Sequence, residues 1–151
     1  MPELNDSPEK AEKDYGHIPD RVAWDLPLAA VTTIDSENFQ VFRGSQLNAK
    51  TSALSRTDEL GMYAARYRAG GGENGLHSHP GDSIWLLVSG AATFWAKDSV
   101  VIAELQPLDG VMVPNDAKYR FMCTEDSVLL RFSGPPPAPR KSSPAGTLSN
   151  E

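Results

Sequence analysis

From Leu60 onward the sequence is divided into short apolar runs whose length suits strands and no other regular element. Met62-Tyr63-Ala64-Ala65-Arg66-Tyr67-Arg68, Ile84 to Val88, Ala92 to Ala96, Val100 to Leu105, Val111-Met112-Val113, Tyr119 to Cys123 and Val128 to Phe132 are rich in β-branched and aromatic residues. Gly, Pro, Asp and Asn separate these runs about every ten residues, the pattern of strands folding back on one another in a sandwich or barrel. No sustained helical period and no internal repeat competes with that reading. The expected fold is all-β. With 151 residues, 40% of them hydrophobic, the chain has material for one core without disulfide staples.

The two ends read differently from the middle. Residues 1–20 mix charges with prolines and hold few large apolar groups, so burial would not offset their ordering entropy, and a flexible acidic arm is expected. Gly134-Pro135-Pro136-Pro137-Ala138-Pro139 and the polar residues after it lack ladder donors, which predicts a disordered tail over 134–151. Between them, residues 21–133 form the expected domain. Trp24, Leu26, Leu28 and Val31 are candidates for its start, and Phe39-Gln40-Val41-Phe42 for a short strand closed by Gly44.

Charge and cysteine usage narrow the partners. The net charge of −6, with no basic block, lacks the electrostatic footprint of a nucleic-acid binder and disfavours an anionic membrane surface. No apolar stretch approaches the roughly 18 residues a span needs, and the polar N-terminus is unlike a secretory signal. Cys123 is the only cysteine, which excludes an intramolecular disulfide and a multi-thiolate zinc site. A cytoplasmic protein acting on a small molecule is the expectation.

Two of three histidines stand together at His77-Ser78-His79, behind Gly70-Gly71-Gly72 and ahead of Ile84-Trp85-Leu86-Leu87-Val88. Alternate side chains of an extended strand share a face, so both imidazoles point the same way and can share one metal ion or one substrate. His17, in the N-terminal arm, receives no role. The glycine run precedes neither a helix pattern nor a lysine, so it reads as the turn admitting the His strand rather than a phosphate cradle.

These residues also carry a family resemblance. Gly71/Gly72, His77-x-His79, Gly90 after the apolar run, and about twenty residues later Asp109-Gly110-Val111-Met112-Val113-Pro114 resemble the two signature motifs of the cupin superfamily. The likeness covers roughly residues 58–133. It implies a single cupin-type jelly-roll β-barrel, with His77 and His79 as metal ligands. Function stays open, because cupins include dioxygenases, decarboxylases, isomerases, epimerases, lyases, sugar-binding regulators and storage proteins. The family's metal-site motif carries a glutamate seven residues before the closing glycine, where this chain has Ser83, with Asp82 one residue out of phase. Its third histidine, five residues after the proline, is replaced by Tyr119.

Two imidazoles fall short of the three or four ligands that Fe, Mn, Zn or Ni normally takes from a protein. Asp82, if the strand bends, or Tyr119 as a phenolate, would complete a triad. Trp85, in phase with Ser83, is expected to wall the cavity, where its indole can stack on a flat substrate. Tyr119, Phe121 and Cys123 alternate on one face; all three read as core filler, with Tyr119 and Phe121 also candidates to meet a ligand. Arg66 either faces solvent with Arg68 or turns inward as a clamp for a carboxylate.

Three functions fit. The first is a metal-dependent dioxygenase or isomerase acting on a small aromatic, keto or carboxylate compound, with His79 and Tyr119 at the reacting atoms and Arg66, Ser83, Trp85 and Phe121 around the substrate. The second is a metal-free isomerase or epimerase using histidine and tyrosine as base and acid. The third is a barrel that binds a small molecule without chemistry. Both faces of residues 84–88 are hydrophobic, which leaves one face for another subunit and predicts a homodimer.

Overall fold

A computed structural model describes residues 14–17, 28, 32–34, 39–47 and 50–134. Among these, the strands are β1 (Asp14–His17), β2 (Thr32–Ile34), β3 (Phe39–Val41), β4 (Thr51–Arg56), β5 (Gly61–Tyr67), β6 (Leu76–Ser78), β7 (Asp82–Ser89), β8 (Ala92–Ala96), β9 (Val101–Leu105), β10 (Gly110–Val113), β11 (Tyr119–Cys123) and β12 (Ser127–Gly134). Every run expected from Leu60 onward is a strand. Strand parity then sorts their side chains: in β7, Ser83, Trp85 and Leu87 are buried, whereas Asp82, Ile84 and Val88 are exposed.

Two five-stranded sheets form the barrel, in the orders β1-β6-β11-β8-β9 and β10-β7-β12-β5-β4; β2 and β3 make a separate antiparallel pair. The fold is all-β, a jelly-roll of two sheets. Between them lies one core of Tyr63, Ala65, Tyr67, Trp85, Leu87, Ala92, Phe94, Leu105, Val111, Val113, Tyr119, Phe121, Cys123 and Leu129. Phe94 stacks on Phe121, with ring centroids 4.7 Å apart, and Trp85 meets Phe121 at 4.9 Å. Each such ring pair adds about 1 kcal/mol beyond the burial of its area. The aromatic cluster therefore fixes the spacing of the sheets on which the polar residues stand.

The N-terminal region departs from the sequence reading. Asp14–His17, expected within a flexible arm, pairs in parallel with β6, matching Asp14 to Leu76 and His17 to Ser78. Lys118 donates to the Asp14 carboxylate on the same edge. The segment is too short and polar to show a strand pattern; it is ordered by the open edge of β6, a tertiary partner invisible to local propensity. The strand β4 is rich in Ser and Thr and escaped notice for a similar reason, though Ala53 and Leu54 are fully buried. Leu28 bridges to Ala53, whereas Trp24, Leu26, Val31 and the tail beyond Gly134 lie outside the described residues. The proposed Phe39 strand is β3, and the chain turns through a short 3-10 segment at Gly44–Gln46 after it.

Candidate metal centre

His77 lies in β6, opposite Tyr119 of β11, and His79 follows just beyond the strand end. Both side chains turn into the interior, with ring centroids 4.9 Å apart and nearly perpendicular planes. The expectation of two neighbouring imidazoles on one face is met. A third group completes the cluster, and it comes from upstream. Glu73, in the irregular stretch between β5 and β6, places a carboxylate so that the ligand atoms of Glu73, His77 and His79 all lie within 4.8 Å of one another.

Backbone bonds to β11 bring Glu73 there. Gly70 N–H donates to Cys123 O, Cys123 N–H to Gly71 O, and Phe121 N–H to Glu73 O, so the stretch is zipped along β11 before β6 begins. At Gly72, φ is +144° and an added Cβ would lie 2.6 Å from the Phe121 carbonyl oxygen, so no other residue allows this approach. The glycine run is thus the means by which the loop presses onto the barrel wall. Next to Glu73, buried Asn74 accepts a 2.9 Å hydrogen bond from Arg120 Nη1, and the Arg120 guanidinium lies 4.0 Å from the Trp95 ring centroid. Side chain and backbone together fix the angle at which the carboxylate enters.

The donor set suits a cation. His77 Nδ1 lies 2.8 Å from the Gly75 carbonyl oxygen, which only a protonated Nδ1 satisfies, so in the neutral ring the lone pair sits on Nε2. That Nε2 faces Glu73 Oε1 at 3.1 Å. The two atoms pair directly only if a proton lies between them, and neither has another hydrogen-bond partner among the described residues. Two buried acceptors turned to a common point are costly unless a proton or a cation lies between them. An ion with bonds of about 2.1 Å holds neighbouring ligands about 3.0–3.4 Å apart, which the His77–Glu73 pair fits and to which His79, within 4.8 Å of both, must close. Two imidazoles and one carboxylate on one side of an ion leave positions open for a ligand.

Electrostatics agree with ionised Glu73. Burial pushes its carboxyl up, but the contact with His77 and the charges of His77, His79 and Arg131 outweigh that and hold it below the usual range. Tyr119 behaves oppositely. Burial and the Glu73 charge push its phenol well above the ordinary value, against the smaller opposing pull of Arg131. Without a bound ion it is therefore a neutral phenol near pH 7. Its oxygen accepts from Trp85 Nε1 at 3.2 Å, and its ring centroid lies 4.5 Å from that of His77.

The remaining site candidates divide by strand parity. Ser83 and Trp85 are buried and face inward. Phe121 is fully buried one layer below Tyr119, where it fills the core between Trp85, Phe94 and Tyr67. Asp82 is exposed, and its carboxylate accepts from the Asn115 N–H, so the bend that would have turned it inward does not occur. Arg66 is exposed too. The inward set of β5 is Tyr63, Ala65 and Tyr67, so the intervening arginine points away from the ligand cluster and donates to Leu47 O. With Lys50 and Arg68 it lines an outer surface cleft of about 620 Å³.

Sequence reasoning missed Glu73 and Arg131. Glu73 was detectable in principle: it is four residues before His77 and six before His79, hence in phase with both in an extended chain. Attention to the family spacing directed the search for a carboxylate downstream, to Ser83 and Asp82. Arg131, on β12, is 2% exposed and stands inside the barrel.

No family sequence profile matches the chain, and no curated protein matches it by sequence. Solved structures do match in shape. An RmlC-like cupin from Desulfovibrio desulfuricans aligns at 17% identity and a TM-score of 0.52, over 57% of this chain and 81% of that one. KdgF from a Halomonas species aligns at 20% identity and 0.53, over 58% and 79%. A cupin superfamily protein from Desulfitobacterium hafniense aligns at 20% identity and 0.52, covering 70% of this chain and 98% of its own length. The jelly-roll of this chain and these neighbours lead to one conclusion: the chain has the fold of the cupin structures it resembles.

Proposed function

We propose that the protein is a metal-dependent cupin enzyme in which Glu73, His77 and His79 hold a divalent transition ion and a small molecule reacts beside it. The observation that carries this reading is the convergence of the ligand atoms of Glu73, His77 and His79 within 4.8 Å of one another, with His77 Nε2 facing Glu73 Oε1 at 3.1 Å. Fe, Mn, Zn and Ni all suit two imidazoles and a carboxylate. When bound, the ion supplies Lewis-acid polarisation of a substrate oxygen and stabilises the negative charge that develops there. The chain's own residues do the rest. Gly75 O keeps His77 in the ligating tautomer, Tyr119 offers a phenol proton to a developing oxyanion, and Trp85 supplies an apolar wall that excludes water. Dioxygenation and isomerisation of a small keto or aromatic compound are the reactions this furniture suits.

Metal analysis of protein purified without chelator tests the reading. The expected result is near-stoichiometric transition metal, or its uptake on addition of Mn²⁺ or Fe²⁺, lost in Glu73→Gln. Less than about 0.1 equivalent before and after addition contradicts a three-ligand site. That result would favour the metal-free alternative, in which the His77 and Tyr119 rings in contact act as base and acid.

The proposed assembly is a homodimer. Ile84 and Met112 pair across β7 and β10 on the outer face, and both are exposed together with Val88. Sedimentation at micromolar concentration as a single-mass monomer would contradict it. Among the described residues, no helix is long and apolar enough to cross a membrane.

A further inference from the structure

One part of the outer surface gathers like charge. Arg66 N–H donates to Lys50 O at 2.7 Å, immediately before β4 pairs Thr51 with Ala65, so Lys50 and Arg66 stand side by side across the β4–β5 ladder. Arg68 follows two residues after Arg66, in the same phase, and all three side chains are exposed. Like charges directly opposite one another on neighbouring strands are destabilising. The chain has 14 basic residues against 20 acidic ones, so three cations meeting in one place also run against its overall charge. A local rule broken in this way points to a task for the residues that break it.

These three cations share a cleft. In a volume of about 620 Å³ it extends from Lys50, Arg66 and Arg68 to Ser89, Asp126 and Val128, over the ends of β5, β7 and β12. An adjoining lobe of about 560 Å³ runs from the same cations to Gly70 and Gly71. Asp126 is the one carboxylate among the lining residues, and its Oδ1 accepts from the Ala69 N–H at 2.9 Å. Among the described residues, neither Arg66 nor Arg68 has an ion pair. The single bond from Arg66 Nη1 to Leu47 O sets the direction of that guanidinium and leaves most of its N–H groups for a ligand. Lys50 adds a point charge rather than a fork, with Nζ 5.3 Å from the Tyr67 ring centroid.

The cleft and the metal centre lie toward opposite ends of β11. Gly70 and Gly71 bond to Cys123 at one end, whereas His77 pairs with Tyr119 at the other. Charge and shape then select the occupant. A carboxylate has two oxygens and one charge, enough for one guanidinium fork. A phosphate dianion presents three terminal oxygens, which two forks and an ammonium can engage together. The cleft is larger than that group alone and falls within the size range of small-molecule sites, and Tyr67 and Val128 give it an apolar flank.

We propose that the cleft formed by Lys50, Arg66 and Arg68 binds a phosphate group, free or carried by a small organic molecule, at a site separate from the metal centre. The proposal does not depend on whether a metal is bound. It gives Arg66 an anion to hold on the outer face of the sheet, away from the ligand cluster.

Titration of the chelator-treated full chain with inorganic phosphate, phenyl phosphate and benzoate, followed by ¹⁵N–¹H NMR, tests it. Saturable shifts are expected at Lys50, at residues 66–71 and at residues 126–128, with at least one of the two phosphates binding about 10-fold tighter than benzoate. Tighter binding of phenyl phosphate than of inorganic phosphate identifies a phosphomonoester as the ligand; equal or weaker binding identifies the free anion. Arg68→Gln should weaken phosphate binding about 10-fold, and the double variant Arg66→Gln/Arg68→Gln should abolish it. Both residues are exposed, and the spectrum of each variant reports its fold directly. Benzoate binding as tightly as phosphate overturns the proposal. So does phosphate binding that survives in the double variant, the absence of saturable shifts up to about 10 mM, or shifts centred on residues 73–79. None of these outcomes bears on the metal centre, which metal uptake tests separately.

Discussion

On one wall of the barrel, Glu73, His77 and His79 come from an irregular glycine-led stretch and a three-residue strand; on the facing wall, Arg131 comes from the middle of an eight-residue strand with unbroken alternation. The first wall gathers acceptors, the second a donor. Convergence of three ligand atoms on one point demands backbone directions that a regular strand does not provide, and the Gly70–Asn74 stretch supplies them at the expense of special anchoring. It needs the backbone bonds to β11, the close approach at Gly72 and the Arg120–Asn74 hydrogen bond. Arg131 needs none of these, since pleat and register aim it and its aromatic neighbours Tyr63 and Trp85 hold it. Ligands that must meet are built on irregular backbone, and a single charge that must be buried is carried by a regular strand.

The comparison is broken most severely at His77. Replacing it with Ala removes a ligand and leaves the Glu73 carboxylate buried without its facing group. We expect metal binding to be abolished and the chelator-treated protein to lose about 3 kcal/mol in urea denaturation. A loss under about 1 kcal/mol would mean that the two walls do not differ in how tightly they are constrained. Glu73→Gln is milder, keeping shape while removing charge. Mn²⁺ affinity should fall about 100-fold, whereas Asp82→Asn, the same change on the exposed carboxylate, should leave it within about 3-fold. Reversal of that order would return the ligand role to the downstream acid.

Tyr119 lies between the walls and offers the smallest, most specific test. Its folded-state pKa is raised, mainly by burial. The stability this represents is fully present below the unfolded tyrosine value, about 10, and is lost as pH rises toward the folded value. Tyr67, also raised by burial, contributes in the same direction. Unfolding free energy should therefore drop above about pH 10, and Tyr119→Phe should remove about 1.4 kcal/mol per pH unit from that slope. An unchanged slope in urea titrations at several alkaline pH values would indicate that the phenol titrates normally.

The same contrast explains what was legible in the sequence. Strands β5 and β7 to β12 announce themselves because each is a short run of apolar, β-branched or aromatic residues between turn formers, and the His pair is legible because parity alone sets its two rings on one face. Glu73 was missed because nothing in Gly70-Gly71-Gly72-Glu73-Asn74 reads as a strand; its position comes from hydrogen bonds to a segment some fifty residues later. Arg131 was missed for the opposite reason. In β12 the large apolar set is Val128, Leu130 and Phe132, which pattern reasoning turns inward, yet the buried set is Ser127, Leu129, Arg131 and Ser133. The outer face of this sheet is itself apolar, with Ile84 and Met112 on neighbouring strands, so hydrophobicity does not tell its two sides apart. The placement of Arg66 was left open by the same ambiguity, because β5 carries apolar residues in both phases.

The parallel pairing of β1 with β6 gives the amino-terminal region a hold over chemistry far from it in sequence. Among the described residues β6 has only β11 on its other side, so loss of the β1 pairing would present a bare row of amides and carbonyls beside the first imidazole. Water, or the edge of another molecule, would compete for that row. The looseness thus introduced would reach the ion before it reached the rest of the barrel, and trimming or blocking this end offers a handle on occupancy that leaves every ligand intact.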